Sequence, residues 1–113
     1  MDLPKKYKII ISEEVDQFLL TVNPKAKTKI FYNMNLVAAG LMNKELFKKL
    51  DGTDIWEFRT LYAGIGYRLL AFFDTAEEAL IITTHGFVKK TQKTPQKEIE
   101  RAKEIRKEYF EQK

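Results

Sequence analysis

Two arginines, one histidine and a run of lysines are the residues of this chain best suited to act on a phosphodiester. Arg59 and Arg68 stand in neighbouring strand-like segments. The only histidine, His85, opens the stretch His85-Gly86-Phe87-Val88-Lys89-Lys90-Thr91-Gln92-Lys93-Thr94-Pro95-Gln96-Lys97. Lys89, Lys90, Lys93 and Lys97 bring four positive charges and no acid to that stretch, matching the formal net charge of +4 of the whole chain. A concentrated basic connection between two regular elements points to a polyanionic partner, most simply nucleic acid. On charge alone, a solvated lysine-rich loop explains it equally well.

Cleavage of an RNA phosphodiester without a metal needs such a group of residues. The 2′-hydroxyl must lose a proton, the 5′-oxygen must gain one, and the five-coordinate phosphorus carries extra negative charge. Arginine and lysine stabilise that charge, and a histidine or a perturbed lysine moves protons. A lysine titrates near 10.4 when unperturbed, but neighbouring cations lower that value, and Lys89 and Lys90 are adjacent. Phe87 or Tyr67 offers a ring on which an unstacked base can rest. Each residue also has a plainer explanation. Arg59 can pair with Glu57 on a sheet surface, and a lone histidine at a strand end is often structural. Phe87 and Tyr109 fit a core, and Lys25, Lys27 and Lys29 fit a solvated helix face. Arg68, beside Leu69 and Leu70, is harder to explain away: it must find an anion or open onto a cleft.

The elements that position these residues follow from apolar spacing. Tyr7–Ile11 reads as a first strand. Ser12 caps a helix carrying Val15, Phe18 and Leu19, and Asn23-Pro24 ends it and starts another through Ala39, with Gly40 after it. The two are expected to form a hairpin, the second covering a sheet. Asn43–Leu50 reads as a short helical turn. Three strands follow, Ile55–Tyr62, Tyr67–Phe73 and Ala79–His85, joined by Ala63-Gly64-Ile65-Gly66 and Asp74–Glu78. In the first, Trp56 and Phe58 face one way, Glu57 and Arg59 the other. Thr94 is placed to cap a terminal helix from Pro95, with Ile99, Ala102, Ile105, Tyr109 and Phe110 on one face. The expected fold is α+β: helices on one side of a mostly antiparallel four-stranded sheet, in a single domain spanning residues 1–113. A hairpin centred near Ala63-Gly64 sets Arg59 opposite Arg68. One centred near Ala76-Glu77 sets Arg68 opposite Thr84 or His85, putting Arg59, Arg68 and His85 roughly in a row.

With 113 residues, 44% hydrophobic and 32% charged, the chain has the composition of one soluble globular domain. It contains no cysteine, so no thiolate chemistry, and one histidine argues against a histidine-rich metal site. No metal or other cofactor is implied. No apolar run approaches the roughly 18 residues of a membrane span. Met1-Asp2-Leu3-Pro4-Lys5-Lys6 lacks a signal peptide's apolar core, so a cytoplasmic location and no membrane partner are expected.

The pieces Ile55-Trp56-Glu57-Phe58-Arg59, Gly66-Tyr67-Arg68, His85-Gly86-Phe87-Val88-Lys89-Lys90-Thr91-Gln92-Lys93-Thr94-Pro95, Glu98-Ile99 and Ala102 resemble the RelE/ParE toxin superfamily, in its phage-derived, HigB-like branch. The resemblance covers most of residues 7–110 and is strongest in the HGF-x-KKT-x-KTP string. It implies a RelE-like fold and the toxin of a bacterial type II toxin–antitoxin pair. Such a toxin enters the ribosomal A site and cuts messenger RNA by the metal-independent 2′-hydroxyl route. The partners implied are the messenger, the ribosome and a cognate antitoxin, with operator DNA contacted only through the antitoxin. Arg68 matches the strand arginine that stabilises the transition state, and Arg59 a basic residue on the same face. Lys89, Lys90 and Lys93 match the basic loop, and His85 belongs to the motif as base or structural hydrogen-bonder. Lys97 extends the RNA-binding set of Lys93 and Phe87. Shorter members carry a C-terminal tyrosine near the active site; the long terminal helix here departs from that pattern and leaves Tyr109 without an assigned role. Two alternatives stay open: a ParE-like, non-catalytic inhibitor of DNA gyrase, and an inactive relative that only binds its antitoxin.

Overall fold

A computed structural model describes residues 4–76 and 79–113. The elements run β1 (Lys8–Ile10), α1 (Glu13–Leu19), α2 (Pro24–Ala38), β2 (Phe47–Lys49), β3 (Trp56–Tyr62), β4 (Ile65–Phe73), β5 (Leu80–Lys89) and α3 (Gln96–Glu111). The strands form one sheet in the order β1-β5-β4-β3-β2. All neighbours are antiparallel except β1, which lies parallel to β5. The sheet therefore has five strands, not the four expected from the sequence.

The extra strand is β2, where the spacing of Asn43–Leu50 predicted a helical turn. Tertiary packing overrides that local preference. Phe47 lies opposite Phe58 in the register, its ring centroid 4.4 Å from that of Phe58 and 4.8 Å from the stacked ring of Trp56. Phe47 is fully buried there. The turn before it is set by Asn43, whose side-chain oxygen accepts from the Glu45 N–H and whose carbonyl accepts from Leu46 and Phe47.

Alternation along the strands gives the sheet two apolar faces, and the helices divide between them. Val15, Leu19, Ile30, Met34, Phe47, Phe58, Tyr67, Leu69 and Ile81 form the core under α1 and α2. Ile55, Leu70, Phe72, Ile82 and Ala102 form a second core under α3, joined by Tyr109 and Phe110. The expectation of all helices on one side fails for this reason: Leu70 and Phe72 point away from α1 and α2 and need their own cover. Nor do α1 and α2 zip together as a hairpin, since α1 packs chiefly on β5 and α2 on β3.

Ser12 joins three elements. Its hydroxyl accepts from the Val15 N–H as the cap of α1 and donates to the Thr84 carbonyl, while its own N–H donates to the Thr83 hydroxyl. Thr83 in turn donates to the carbonyl of Ile10. This chain of bonds fixes β1 and α1 on β5. The β3–β4 connection is a two-residue turn, Ala63-Gly64, with φ of 51° and 78°. Two positive φ values define the turn that matches strand twist, and β4 begins at once with Ile65. The basic stretch is also shorter than expected, because β5 runs on through Gly86–Lys89. Thr94 does not cap α3; the cap position is Pro95, with no side-chain bond. Of the expected Asp74–Glu78 turn, Glu77 and Glu78 lie outside the described residues, as do Met1–Leu3 of the N-terminus.

Candidate nucleic-acid site

The face of β3, β4 and β5 that carries α3 is tiled in rows by the pairing. Lys48, Glu57 and Leu70 form one row, Arg59, Arg68 and Phe87 the next, and Leu61, Gly66 and Lys89 the last. Directly opposed residues of adjacent strands share a face. The core under α3 contains Leu70 of the first row and Phe72 beyond it, and the last row borders open solvent. A shallow cleft of about 490 Å³ lies there, lined by Leu61, Gly66, Arg68, Lys89, Lys90, Thr91 and Gln92.

A β-bulge sets which β5 side chains share this face. Leu69 pairs with Gly86 but Ala71 with Thr83, so Leu70 faces both Thr84 and His85. One extra residue reverses the alternation from that point. Before the bulge Ile82 takes the α3 face; after it, His85, Phe87 and Lys89 do. The predicted opposition of Arg68 to Thr84 or His85 is therefore replaced by Arg68 to Phe87. Arg59 and Arg68 are opposed as the hairpin geometry predicted.

Behind the cleft lies Glu57, 2% exposed. Its Oε1 is 3.4 Å from Arg59 Nε and 3.3 Å from Arg68 Nε, and its Oε2 accepts the Thr94 hydroxyl. The Arg68 Nε contact is an ion pair off the line of its N–H, leaving that buried atom without a hydrogen-bond acceptor. Arg68 Nη1 donates to the Tyr67 carbonyl at 3.0 Å, and Arg59 Nη1 to the Lys44 carbonyl at 3.3 Å.

The sequence profile of the phage derived protein Gp49-like family matches residues 17–107. The chain belongs to that family. Among solved structures it is similar to an arginine-substituted mutant of the E. coli toxin RelE in the free state, with a TM-score of 0.64 at 14% identity over 88% of this chain and 96% of that one. The two share a RelE-like fold. No curated protein sequence matches.

In this Gp49-like chain the cations of the cleft perturb one another. Burial lowers the Arg68 pKa; Glu57 opposes that, and Arg59 adds to it. Arg68 nonetheless stays charged, as guanidinium does in proteins. Partial burial lowers the Lys89 pKa too, helped by Arg68 and Arg59, opposed by Glu57, with Lys48 contributing. Burial and the neighbouring cations both favour the neutral amine over the charged one.

The residues singled out in the sequence divide into two groups. Arg68, Lys89 and Lys90 line the cleft, and Arg59 stands beside Arg68. Lys93 and Lys97 are exposed but do not line it. Phe87 is half-buried against the core under α3, its ring 6.1 Å from that of His85. His85 is enclosed, 1% exposed, with Nε2 3.2 Å from Glu98 Oε1 and Nδ1 3.1 Å from the Thr84 hydroxyl. A carboxylate only accepts, so in neutral His85 the proton sits on Nε2, and the one proton of the Thr84 hydroxyl is shared between Nδ1 and the Leu70 carbonyl at 3.2 Å. Burial lowers the His85 pKa, with Arg101 adding and Glu98 and Glu14 opposing. The contact between His85 and Glu98 links β5 to α3. Tyr109 is bound to Asp74 at the β4–β5 turn. Among the described residues no group of three His, Cys, Asp or Glu could hold a metal ion, and no helix is long and apolar enough to cross a membrane.

Two residues of the site carried no chemical weight in the sequence. Glu57 looked like an ordinary surface partner for Arg59, although alternation already placed it on the arginine face. Gly66 looked like part of a turn. A Cβ there would lie 3.4 Å from Lys89 Cβ and 3.5 Å from Arg68 Nη1, so its lack of a side chain leaves the cleft floor open.

Proposed function

We propose that this protein is the toxin of a bacterial type II toxin–antitoxin pair, acting in the cytoplasm as a ribosome-dependent endoribonuclease. The observation that carries the reading is the cleft in which Arg68, Lys89 and Lys90 converge beside Arg59, on a RelE-like sheet. Every residue lining this cleft except Leu61 falls in the stretches that bear the family resemblance.

In the proposed reaction the messenger's 2′-hydroxyl gives up its proton and attacks the adjacent phosphorus. The 5′-oxygen then leaves with a proton, so the products are a 2′,3′-cyclic phosphate and a 5′-hydroxyl. Arg68, with Arg59 beside it, meets the charge that builds on the phosphoryl oxygens. Lys89, its pKa lowered by burial and by both arginines, is the cleft residue best suited to move a proton. Lys90 contributes charge at the rim, and Lys93 and Lys97 extend the basic field along the backbone. His85 is enclosed beneath α3 and acts on the fold rather than on the phosphate. A cognate antitoxin would neutralise the protein by covering this basic face, and operator DNA would be reached only through that antitoxin.

Primer extension on a reporter messenger in a purified translation system tests the reading. Wild-type protein should cut within codons, and the cuts should vanish when ribosomes are omitted. Arg68→Ala should lower cleavage about a hundredfold or more while the variant stays folded. No cuts from folded, antitoxin-free protein would overturn the proposal, and inhibition of gyrase supercoiling by the same preparation would replace it.

A further inference from the structure

Glu57 is a negative charge set behind a surface built to attract negative charge. By field alone it weakens the pull of Arg59 and Arg68 on an anion. Burying a carboxylate is also expensive unless its oxygens are well partnered. Its partners here are chosen in a particular way. Oε1 is in ion-pair contact with the inner nitrogens of both arginines, Arg59 Nε at 3.4 Å and Arg68 Nε at 3.3 Å. That leaves the outer nitrogens of Arg68 for the Tyr67 carbonyl and the space above Gly66. Oε2 takes the Thr94 hydroxyl. Thr94 closes the segment that begins with the cleft residues Lys90, Thr91 and Gln92, so one carboxylate ties down both the guanidinium pair and the end of the lysine segment.

We infer that Glu57 is a positioning residue for phosphodiester cleavage: it holds Arg59, Arg68 and, through Thr94, the lysine segment in one arrangement around the reacting phosphate, while reducing simple affinity for RNA. The inference rests on the proposed ribonuclease function. It makes binding and turnover move in opposite directions when Glu57 loses its charge, which a purely structural role does not.

The test pairs two measurements on Glu57→Gln, Thr94→Val and Thr94→Ser. One is the affinity of the free protein for a 2′-O-methyl RNA, which cannot be cut. The other is the maximal rate of messenger cleavage on purified ribosomes, separated from the concentration giving half that rate. Glu57→Gln should bind the RNA about threefold more tightly, as expected for removing one nearby like-signed charge from the ligand's surroundings. Its maximal rate should fall about ten- to a hundredfold, the scale of a misplaced catalytic group. Thr94→Val should lower the rate and leave RNA affinity in place, and Thr94→Ser should restore it. A cleaving wild type beside an equally fast Glu57→Gln overturns the inference alone, as does a parallel loss of rate and RNA affinity. If Glu57→Gln does not fold, the threonine pair decides: equal rates for Thr94→Val and Thr94→Ser overturn the inference. A wild type that binds the RNA but leaves the messenger whole overturns the ribonuclease reading and this inference with it.

Discussion

Arg59 and Arg68 are paired directly across β3 and β4, two cations on one face, and the carboxylate of Glu57 lies within 3.4 Å of both. Like charges in opposed positions destabilise a sheet, so the pairing is held by the buried acid between them. Moving β3 by one residue against β4 would turn one arginine to the face covered by α1 and α2. The turn at Ala63-Gly64 therefore matters to the site as much as the arginines do, because it fixes the register that lets one acid serve two guanidiniums.

Filling the cleft floor should stop catalysis without harming the fold. Gly66 pairs with Lys89, and a Cβ there makes only ordinary contacts, 3.4 Å to Lys89 Cβ and 3.5 Å to Arg68 Nη1. Valine is favoured in strands. Gly66→Val is expected to lower messenger cleavage at least about tenfold, the scale of a misplaced reacting group, with a thermal midpoint equal to or above that of wild type. Cleavage at the wild-type rate, read by primer extension, would move the reacting phosphate away from this cleft.

Affinity for RNA should depend steeply on salt. Each phosphate neutralised on a single strand adds about −0.7 to the slope of log affinity against log salt. Arg59, Arg68, Lys89 and Lys90 are the cations gathered at the cleft, so anisotropy titrations of a 2′-O-methyl RNA should give a slope of about −2 to −3. Lys90→Ala, an exposed rim substitution, should make the slope shallower by about 0.7. A flat dependence would exclude phosphate contact as the basis of binding.

Much of this arrangement was legible in the sequence because it depends on local rules. Alternation in β3 put Glu57 and Arg59 on one face, the Ala63-Gly64 turn set Arg59 opposite Arg68, and Ser12 and Pro24 marked helix starts. The rest depends on partners far away in the chain. Phe47 becomes a strand residue only when Phe58 and Trp56 are beside it. The bulge opposite Leu70 is invisible to periodicity, yet it decides that Phe87 and Lys89 rather than Lys90 share the face of Arg68. Thr94, well suited by type to cap α3, instead gives its hydroxyl to the buried carboxylate of Glu57, and the cap position falls to Pro95.

Gly86 should be intolerant of even one added methyl group. After the bulge it faces α1, and a Cβ there would lie 2.4 Å from Phe18 Cδ2 and 2.7 Å from Leu69 Cδ2. Leu69 is buried, so relief must come from moving α1 or repacking the core. Gly86→Ala is expected to lower stability by about 1–3 kcal/mol, as overpacked sites do. Urea unfolding measures the loss, and Phe18→Leu in the same chain should recover part of it. An unchanged midpoint for Gly86→Ala would mean that α1 rides more loosely on β5.

His85 should make stability depend on pH. Its pKa in the folded protein is held below the ordinary value by burial first and by Arg101 next, against the opposing pull of Glu98 and Glu14. Those are the charged groups that act on it from α3 and α1. Because the unfolded chain takes up the proton at higher pH than the folded one, the unfolded state binds more protons as pH falls below about 6.5. The contribution of neutral His85 is thus fully present above that value and is lost as pH drops toward the folded pKa. The loss amounts to about 1.4 kcal/mol for each unit separating the two. His85→Gln keeps an N–H for Glu98 and cannot titrate. Denaturant unfolding followed from about pH 7 to about pH 5 should show wild type losing stability relative to this variant. Parallel curves would mean that imidazolium is accepted between Thr84 and Glu98, and would return His85 to the candidates for proton transfer.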